Sequence, residues 1–466
     1  MTHDETTDAA AQHSAAHPRR WRILGFLGVA QLMLILDVTV VAIALPDIET
    51  DLGLSRATLT WTVSAYTLTF GGLMLLGGRI ADLIGAKRVV LAGLLLFTVA
   101  SLVTGLAGSS AMLLGGRVAQ GVGAALLSPA ALSLVVTLFE GNERSRALGV
   151  WSALGGGGAA LGVLVGGLLT AGPGWPWVFF VNVPVGLVIL AALARMLPRQ
   201  SAVVPNARLD VLGALLVTAS SGAVIYLLVN AGDQGWVTSG NAWLLVLAVA
   251  GYAAFVVWQK TARSPLMDVS LLIRRPVATG TFLILMATAL MIAVFFLGTF
   301  YFQHANGYGA LHTGLLFLPV ALATMFGAQL TGRVLGRWGA RRLAVAGLLV
   351  AAIGMAVPAL WTYPAAVVAG VAIAAAGTGV LFVVASATAL GQVAPHESGI
   401  ASGIVSTFHE FGASLGAAVV SSVAAASFAG ATLTGFTDGF VVTAVAAGVA
   451  ALVAGFLAPG RAARTA

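Results

Sequence analysis

Apolar runs of roughly twenty residues, each closed by a short polar or Gly/Pro-bearing break, recur along the chain from Ile23 to Leu457. Coiled at about 1.5 Å per residue, such a run matches the ~30 Å hydrocarbon thickness of a bilayer, so each predicts a membrane-spanning helix. Fourteen segments are predicted, near 22–45, 59–77, 88–107, 111–138, 146–170, 177–197, 210–230, 241–259, 277–300, 311–332, 343–360, 365–391, 400–428 and 437–457. The preceding Met1 to Pro18 is polar and reads as a disordered tail, in which His3, His13 and His17 face solvent rather than a metal.

Composition turns this pattern into a class. With 59% hydrophobic and only 8% charged residues, against about 25% charged in soluble domains, the chain could not cover a soluble surface. The first apolar run is too long for a signal peptide and lacks a small-residue cleavage pattern. The 58 glycines show no three-residue period and suit close helix packing and bend points. The absence of cysteine excludes disulfides, thiolate metal sites and thiol chemistry, while leaving the compartment open.

The formal charge of +7 invites a nucleic-acid reading, but its distribution argues against one. With the N-terminal tail placed in the cytoplasm, all but two of the 23 basic residues fall in tails, cytoplasmic loops or their flanks. The exceptions are Arg117, inside the fourth segment, and Arg56, in an external loop. This asymmetry predicts both termini inside and no nucleic-acid partner.

An internal echo supplies the domain organisation. GRIADLIGAKR (Gly78 to Arg88) and GRVLGRWGARR (Gly332 to Arg342) align at an offset of 254 residues. Gly78, Arg79, Gly85, Ala86 and Arg88 match Gly332, Arg333, Gly339, Ala340 and Arg342, whereas Lys87 maps to Arg341 and Asp82 to Gly336. The parse is a 6+2+6 all-α membrane body: a six-helix half at 22–197, two extra helices with linkers at 198–276, and a second six-helix half at 277–457. Tails at 1–21 and 458–466 flank it. Doubled bodies of this kind rock about a central site. Within the linker, PLMDVSLLIRR predicts a short interfacial helix tethering the halves, the alternative being an extended connection.

Charges inside the apolar runs are costly, about 2.5–3.5 kcal/mol at a helix centre on insertion scales, and mark function. Asp37, in LDVTVVAIALP, and Arg117, in LLGGRVAQGVGAA, lie about nine and seven residues from the outer ends of helices one and four, at similar depth. Pairing would keep Asp37 ionised, isolation would favour its protonation, and alternation between the two moves protons. Glu410, in STFHEFGASLGAA, lies near the midplane of helix thirteen, with His409 expected to point about 100° away toward a helix contact.

Two acids, one per half, suit a cavity for an organic cation in which proton and guest compete for the same carboxylates. Trp61, Tyr66, Phe295, Phe296, Tyr301 and Phe408 are the candidates to stack against such a cation. Asp82, with Gly78, Gly85, Lys87, Arg88, Arg333 and Arg341 in the paired loops, is expected to gate the cytoplasmic side. There Asp82 would cap a helix N-terminus or latch a basic side chain. The glycine run GVWSALGGGGAALGVLVGG (Gly149 to Gly167) supplies close approach and flexing in helix five.

These motifs, in this order and over nearly the whole chain, resemble the major facilitator superfamily, specifically its fourteen-helix drug:proton antiporters. LDVTVVAIALP looks like that family's first-helix signature, GRIADLIGAKR like its loop 2–3 motif, and RVAQGVGAA like its fourth-helix motif, whose Arg is implicated in proton coupling. ERSRALGVW and WPWVFFVNVPVG are similar to members' sequences around helices five and six.

The chain departs from the pattern at three places. Val163 stands where the fifth-helix motif has Pro, Pro176 replaces the Arg usual between Trp175 and Trp177, and HEF replaces an Arg-Gln pair, so that Glu410 looks like a specificity device.

The resemblance implies a proton-coupled multidrug efflux antiporter in a bacterial inner membrane, working by alternating access as a functional monomer among membrane lipids. It would carry a lipophilic organic cation, powered by the proton gradient with no cofactor. Asp37, Arg117 and Glu410 would couple protons, and Asp37 and Glu410 would also contact substrate. Proton-coupled uptake of a small organic solute, and export of a specific natural product, an anionic one included, are the alternatives. No Walker-type loop is present, so ATP-driven transport and enzymatic activity are not expected.

Overall fold

The computed structural model describes residues 4–197, 209–391, 398–425 and 434–458, with side chains from Arg19 onward apart from some positions on the fifth helix and at the start of the sixteenth. In chain order the helices are α1 (Asp4–Leu52), α2 (Arg56–Ile84), α3 (Ala86–Gly105), α4 (Ser110–Leu138), α5 (Gly141–Ala171), α6 (Pro176–Phe180), α7 (Asn182–Met196), α8 (Val211–Gln234) and α9 (Ser239–Thr261). Then follow α10 (Ser270–Ile273), α11 (Arg275–Phe300) with a π turn at Tyr301–Ala305, α12 (Ala310–Leu316), α13 (Leu318–Trp338), α14 (Ala340–Leu360), α15 (Pro364–Leu390), α16 (Ser398–Val423) and α17 (Thr434–Leu457).

Among the described residues, 13 helical stretches are long and apolar enough to cross a bilayer, with α6–α7, α11 with its π turn, and α12–α13 each forming one of them. α5 adds a shorter apolar stretch, Leu161–Ala171. The tail histidines His3, His13 and His17 fall outside the described side chains.

The helices pack as two groups. α2, α3 and α4 pack together with α7 on α3 and α1 on α5, while α11, α13, α14, α15, α16 and α17 form the second group. The groups meet along two seams, α2 against α16 and α5 against α12 and α13. α8 lies over the first seam, touching both α2 and α16, and α9 packs on α8. Its outward face carries Trp243, Leu247 and Val257, each more than half exposed, as contact with lipid tails requires.

The paired loop motifs fold alike, with one correction. The segment near 59–77 does not end there: α2 runs to Ile84, so Gly78 and Asp82 are helical and the turn is Gly85 alone. Gly85 (φ 94°) and Gly339 (φ 79°) both take the left-handed backbone that a side chain disfavours. Their N–H groups donate to Ala81 O at 3.0 Å and Leu335 O at 2.9 Å. The matched cations also do the same job. Lys87 donates to Ala194 O and Leu197 O at the end of α7, and Arg341 donates to Ala458 O just past the end of α17. Cations satisfying the last carbonyls of a helix are favoured by its dipole.

The connection after α9 folds inward. Its helical part is the single turn α10, and Leu266, Met267 and Leu271 are buried in a cluster with Ala214, Val217, Phe255 and Ile404. Asp210, the N-cap of α8, organises it by accepting from Gly213 N (2.8 Å), Trp258 Nε1 (2.7 Å), Gln259 Nε2 (2.5 Å) and Leu266 N (3.3 Å). Burial alone would raise its pKa, but the donors from Trp258, Gly213, Gln259 and Leu266 together hold it below 3.8.

A carboxylate with a depressed folded pKa stabilises the fold above its unfolded value and loses that contribution as pH falls through the folded value. The melting temperature of the detergent-solubilised protein is therefore expected to fall on acidification below about 4. The Asp210→Asn variant should already melt lower at neutral pH and show a smaller acid decrement. Equal acid decrements in the two proteins would contradict this assignment.

Candidate functional site

Small residues around Arg117 on α4, with Gly116 and Gly121 at its flanks, let α2 and α3 close over it, so a residue that normally seeks water is fully enclosed. Asp37, 2% exposed, reaches it from α1. Arg117 Nη1 donates to Asp37 Oδ2 and, at 2.9 Å, to Gln120 Oε1, while Arg117 Nε donates to Thr62 O at 2.8 Å. Gln120 Nε2 donates to Asp37 Oδ1 (3.1 Å) and to Ser101 Oγ (2.9 Å). Burying two opposite charges is tolerable only with such extensive hydrogen bonding. One donor is left over, since Arg117 Nη2 is buried with no partner among the described residues.

The equal depth inferred for Asp37 and Arg117 thus becomes a direct ion pair. Gln120, one turn beyond Arg117, completes it.

Tyr66 belongs to the same centre. Its ring lies under the Arg117 guanidinium, 4.4 Å from centroid to Cζ, with Phe179 on another side at 5.9 Å. Its hydroxyl donates to Leu34 O at 3.2 Å. Tyr66 also lies within electrostatic range of both Asp37 and Glu410.

Glu410, 8% exposed, sits on α16 where that helix meets α2, its Cβ close to Gly71. His409 does not turn away from it as expected: His409 Nδ1 lies 3.2 Å from Glu410 Oε1, while the imidazole packs on Phe382 at 5.8 Å. The 100° between adjacent residues fixes where their Cα–Cβ bonds point, and the imidazole arm is long enough to swing back.

The six aromatic candidates do not converge on one place. Phe295, Phe296 and Tyr301 are at most 2% exposed within an aromatic cluster at the end of α11, with Phe295 on Phe317 (5.2 Å), Phe296 on Phe300 (5.2 Å) and Tyr301 on Phe436 (6.0 Å). Trp61 packs with Leu68, Ile225 and Val229 between α2 and α8. Phe408 packs beside Ile404 and Leu271. Only Tyr66 is at the acids, where it stacks on the protein's own cation.

Among the loop-motif residues, Asp82 meets Arg79 one turn away at 3.8 Å and does not cap α3, whose N-cap is Gly85. Arg88 donates to Ile84 O at 3.5 Å, Arg333 is exposed, and Gly78 lies near Pro129 of α4. None of these contacts reaches the opposite helix group.

At the other end of the bundle the groups are tied together. Gln303 Nε2 donates to Ile43 O at 3.0 Å, His304 Nε2 lies 3.4 Å from Glu49 Oε2, and Gly167 of α5 runs against the backbone of Ala310 and Leu311. This is the close approach expected of the fifth-helix glycines, with Gly162 against Thr39 and Gly166 against Val40, and Val163 buried beside them. Gly155 to Gly157 of that run lie within α5, and their surroundings are outside the described positions.

Sequence reasoning missed a hydroxyl seam between α2 and α16. Thr60 Oγ1 donates to Ser421 Oγ at 2.5 Å, Thr67 Oγ1 and Ser414 Oγ are 2.5 Å apart, and Ser64 lies 3.5 Å from Ser414 O. All five are fully buried. The available signal was their spacing: 60, 64 and 67 on α2, and 414 and 421 on α16, each mark one helical face.

Comparison with known proteins follows from this geometry. The family profile described as Major Facilitator Superfamily matches residues 27–417. The chain is 39% identical to a puromycin resistance protein of Streptomyces alboniger, over 86% of this chain and 81% of that one. It is 36% identical to a cephamycin export protein of Amycolatopsis lactamdurans, over 84% and 82%. It is also 32% identical to a tetracenomycin C resistance and export protein of Streptomyces glaucescens, over 90% and 79%. In structure it is similar to the POT family transporter PepTSo, with a TM-score of 0.68 at 16% identity over 94% of this chain and 97% of that one, a likeness of fold alone.

Proposed function

The chain belongs to the major facilitator superfamily, a family of transporters rather than enzymes, and is related to bacterial drug-export and resistance proteins. Its apolar helices and bacterial relatives place it as a multi-pass protein of a bacterial inner membrane. From that premise we propose that it is a proton-coupled antiporter exporting lipophilic, chiefly cationic compounds by alternating access. In this reading α5 is the fourteenth span, both termini are cytoplasmic, and the Gly85 end of the bundle faces the cytoplasm.

The observation that carries the reading is the enclosed Asp37–Arg117 pair with Gln120, stacked on Tyr66, which lies within electrostatic range of Glu410 as well. A buried pair adds little net stability over apolar packing, so its presence in the helix interior is better explained by work that requires a change of protonation. When the halves rock and water reaches the pair, the Arg117 contact loosens and Asp37 takes a proton from the acidic side.

Proton and cation then compete directly for the carboxylates, Asp37 meeting any cation and Glu410 a second positive centre. One proton in for one monovalent cation out is electroneutral, and a second proton adds about 2.3 kcal/mol per 100 mV of membrane potential.

A second reading, export of one particular natural product, an anionic one included, draws support from relatives named for puromycin, cephamycin and tetracenomycin C. Arg117 Nη2, the spare buried donor, suits a carbonyl or carboxylate as well as water.

Inverted membrane vesicles with an acidified lumen test the proposal. A lipophilic cation added outside is expected to accumulate in the lumen and dissipate the pH gradient. Exit of preloaded solute together with protons would instead identify a symporter. Movement of the named antibiotics without that of the cation would select the second reading.

A further inference from the structure

Arg56 is poorly placed by two general rules. It breaks the inside bias of basic residues, and as the first residue of α2 it sets a cation against the positive end of a helix dipole. Its side chain nonetheless makes several bonds at that end, linking α2 to both α8 and α16.

Arg56 Nη1 donates to Ser421 O and Ser421 Oγ, both at 2.8 Å, and Nη2 donates to Val229 O at 2.9 Å. Arg56 Nε donates to Asp233 Oδ1 at 3.1 Å, and Nη2 stands 2.6 Å from the same oxygen. The guanidinium therefore binds the C-terminal turns of two other helices, α16 and α8. Ser421 O is one of the last four carbonyls of α16, which have no partner within their own helix. Gly232 permits the arrangement by bringing the α8 backbone against Ser422, at a spot where a Cβ would crowd the Arg56 guanidinium at 3.0 Å. Thr60, one turn along α2, adds its own bond to Ser421.

We infer that Arg56 is the bolt of the external gate, and that the extra helix pair supplies the bolt's anionic partner through Asp233. The inference rests on the alternating-access reading and orientation proposed above. Opening to the outside must part α2 from α16 at this end, and the bonds that resist parting are those from Arg56 and Thr60 to Ser421. Asp233 on α8, which lies over both helices, holds the guanidinium in line with Ser421 while the gate is shut. Arg56 and Asp233 are positioning residues and touch neither proton nor guest. The two extra helices thus become part of the gate rather than a lipid-side addition.

The chain contains no cysteine, so a single introduced thiol reports cleanly. Ser64→Cys places one in the buried seam about 12 Å, eight residues along α2, from Arg56. Val237→Cys, at a fully exposed site between α8 and α9, serves as control. Labelling rates with a membrane-impermeant maleimide added outside intact cells are compared at matched membrane levels, with melting temperature recorded for each variant.

Arg56→Ala is expected to raise Ser64→Cys labelling about tenfold, the equivalent of the net value of a hydrogen bond to a charged group. Asp233→Asn should raise it about two- to fivefold, because Asp233 is half exposed and its pair is screened. Arg56→Lys should fall between wild type and Arg56→Ala. The double variant should label no faster than Arg56→Ala alone, since Asp233 acts only through Arg56. The Val237→Cys rate should stay constant throughout.

Lower melting temperatures with unchanged labelling would reduce Arg56 to a structural staple and overturn the inference. Additive effects of the two substitutions would likewise remove Asp233 from the gate. If Ser64→Cys in the otherwise unaltered protein never labels while Val237→Cys does, the rocking motion itself fails and the gate falls with it.

Discussion

Asp37→Asn is expected to abolish gradient-driven efflux while the protein reaches the membrane in normal amounts. The substitution keeps an acceptor near Gln120 but removes the charge that balances Arg117, and it deletes the protonation step. Breaking one partner of a buried pair costs about 3–5 kcal/mol, so the melting temperature should drop as well. A drop in stability alone could be mistaken for a loss of function.

The double variant Asp37→Asn/Arg117→Gln separates the two effects. It replaces a buried ion pair by neutral, hydrogen-bonding groups of similar size, and should recover much of the lost stability. Transport should remain absent, because no group at this position then changes charge. Efflux in Asp37→Asn vesicles that still collapses the pH gradient at the wild-type rate would exclude Asp37 from proton coupling.

The reason this centre was legible in the sequence is simple. A charge in an apolar run has few tolerable environments, and depth along a helix is counted at a fixed rise per residue. Asp37 and Arg117 could therefore be matched across 80 positions of chain. The echo at Gly85 and Gly339 was equally readable, because a left-handed residue between two helices leaves a local signature. The stop after residue 77 was misplaced because Gly78 and Asp82 resemble loop residues, whereas Ile80, Leu83 and Ile84 carry the helix on to its one true break.

The seam and the gate were hidden for the opposite reason. Thr and Ser in a membrane helix can bond to their own backbone one turn back, as Thr67 does with Val63 O and Thr60 with Arg56 O. Nothing local distinguishes such a hydroxyl from one that reaches a partner more than 340 residues away, as Thr67 also does with Ser414. The aromatic candidates are scattered for the same reason: Phe295, Phe296 and Tyr301 pack against Phe317, Phe300 and Phe436. Their partners come from packing between helices, which spacing along one helix does not encode.

Glu410→Gln is expected to separate substrates by charge. Glu410 lies where α16 meets α2, with Tyr66 within coulombic range of it and of Asp37. A guest with two positive centres would use both acids, one in each half, and a guest with one centre needs only Asp37. Truncating one partner of a buried charge contact costs about 2–5 kcal/mol, so export of dications should fall about 30-fold or more. Monocation export should change by less than about threefold, in line with the loss of a contact those substrates do not make.

His409→Gln provides the control, because it leaves the carboxylate in place while removing the imidazole 3.2 Å away. If His409 only packs on Phe382, that variant keeps the wild-type preference between dications and monocations. Equal losses for both substrate classes in Glu410→Gln would make Glu410 an obligatory proton carrier rather than a selector. An unaltered panel would remove it from the site and leave Asp37 as the sole acid in competition with the guest.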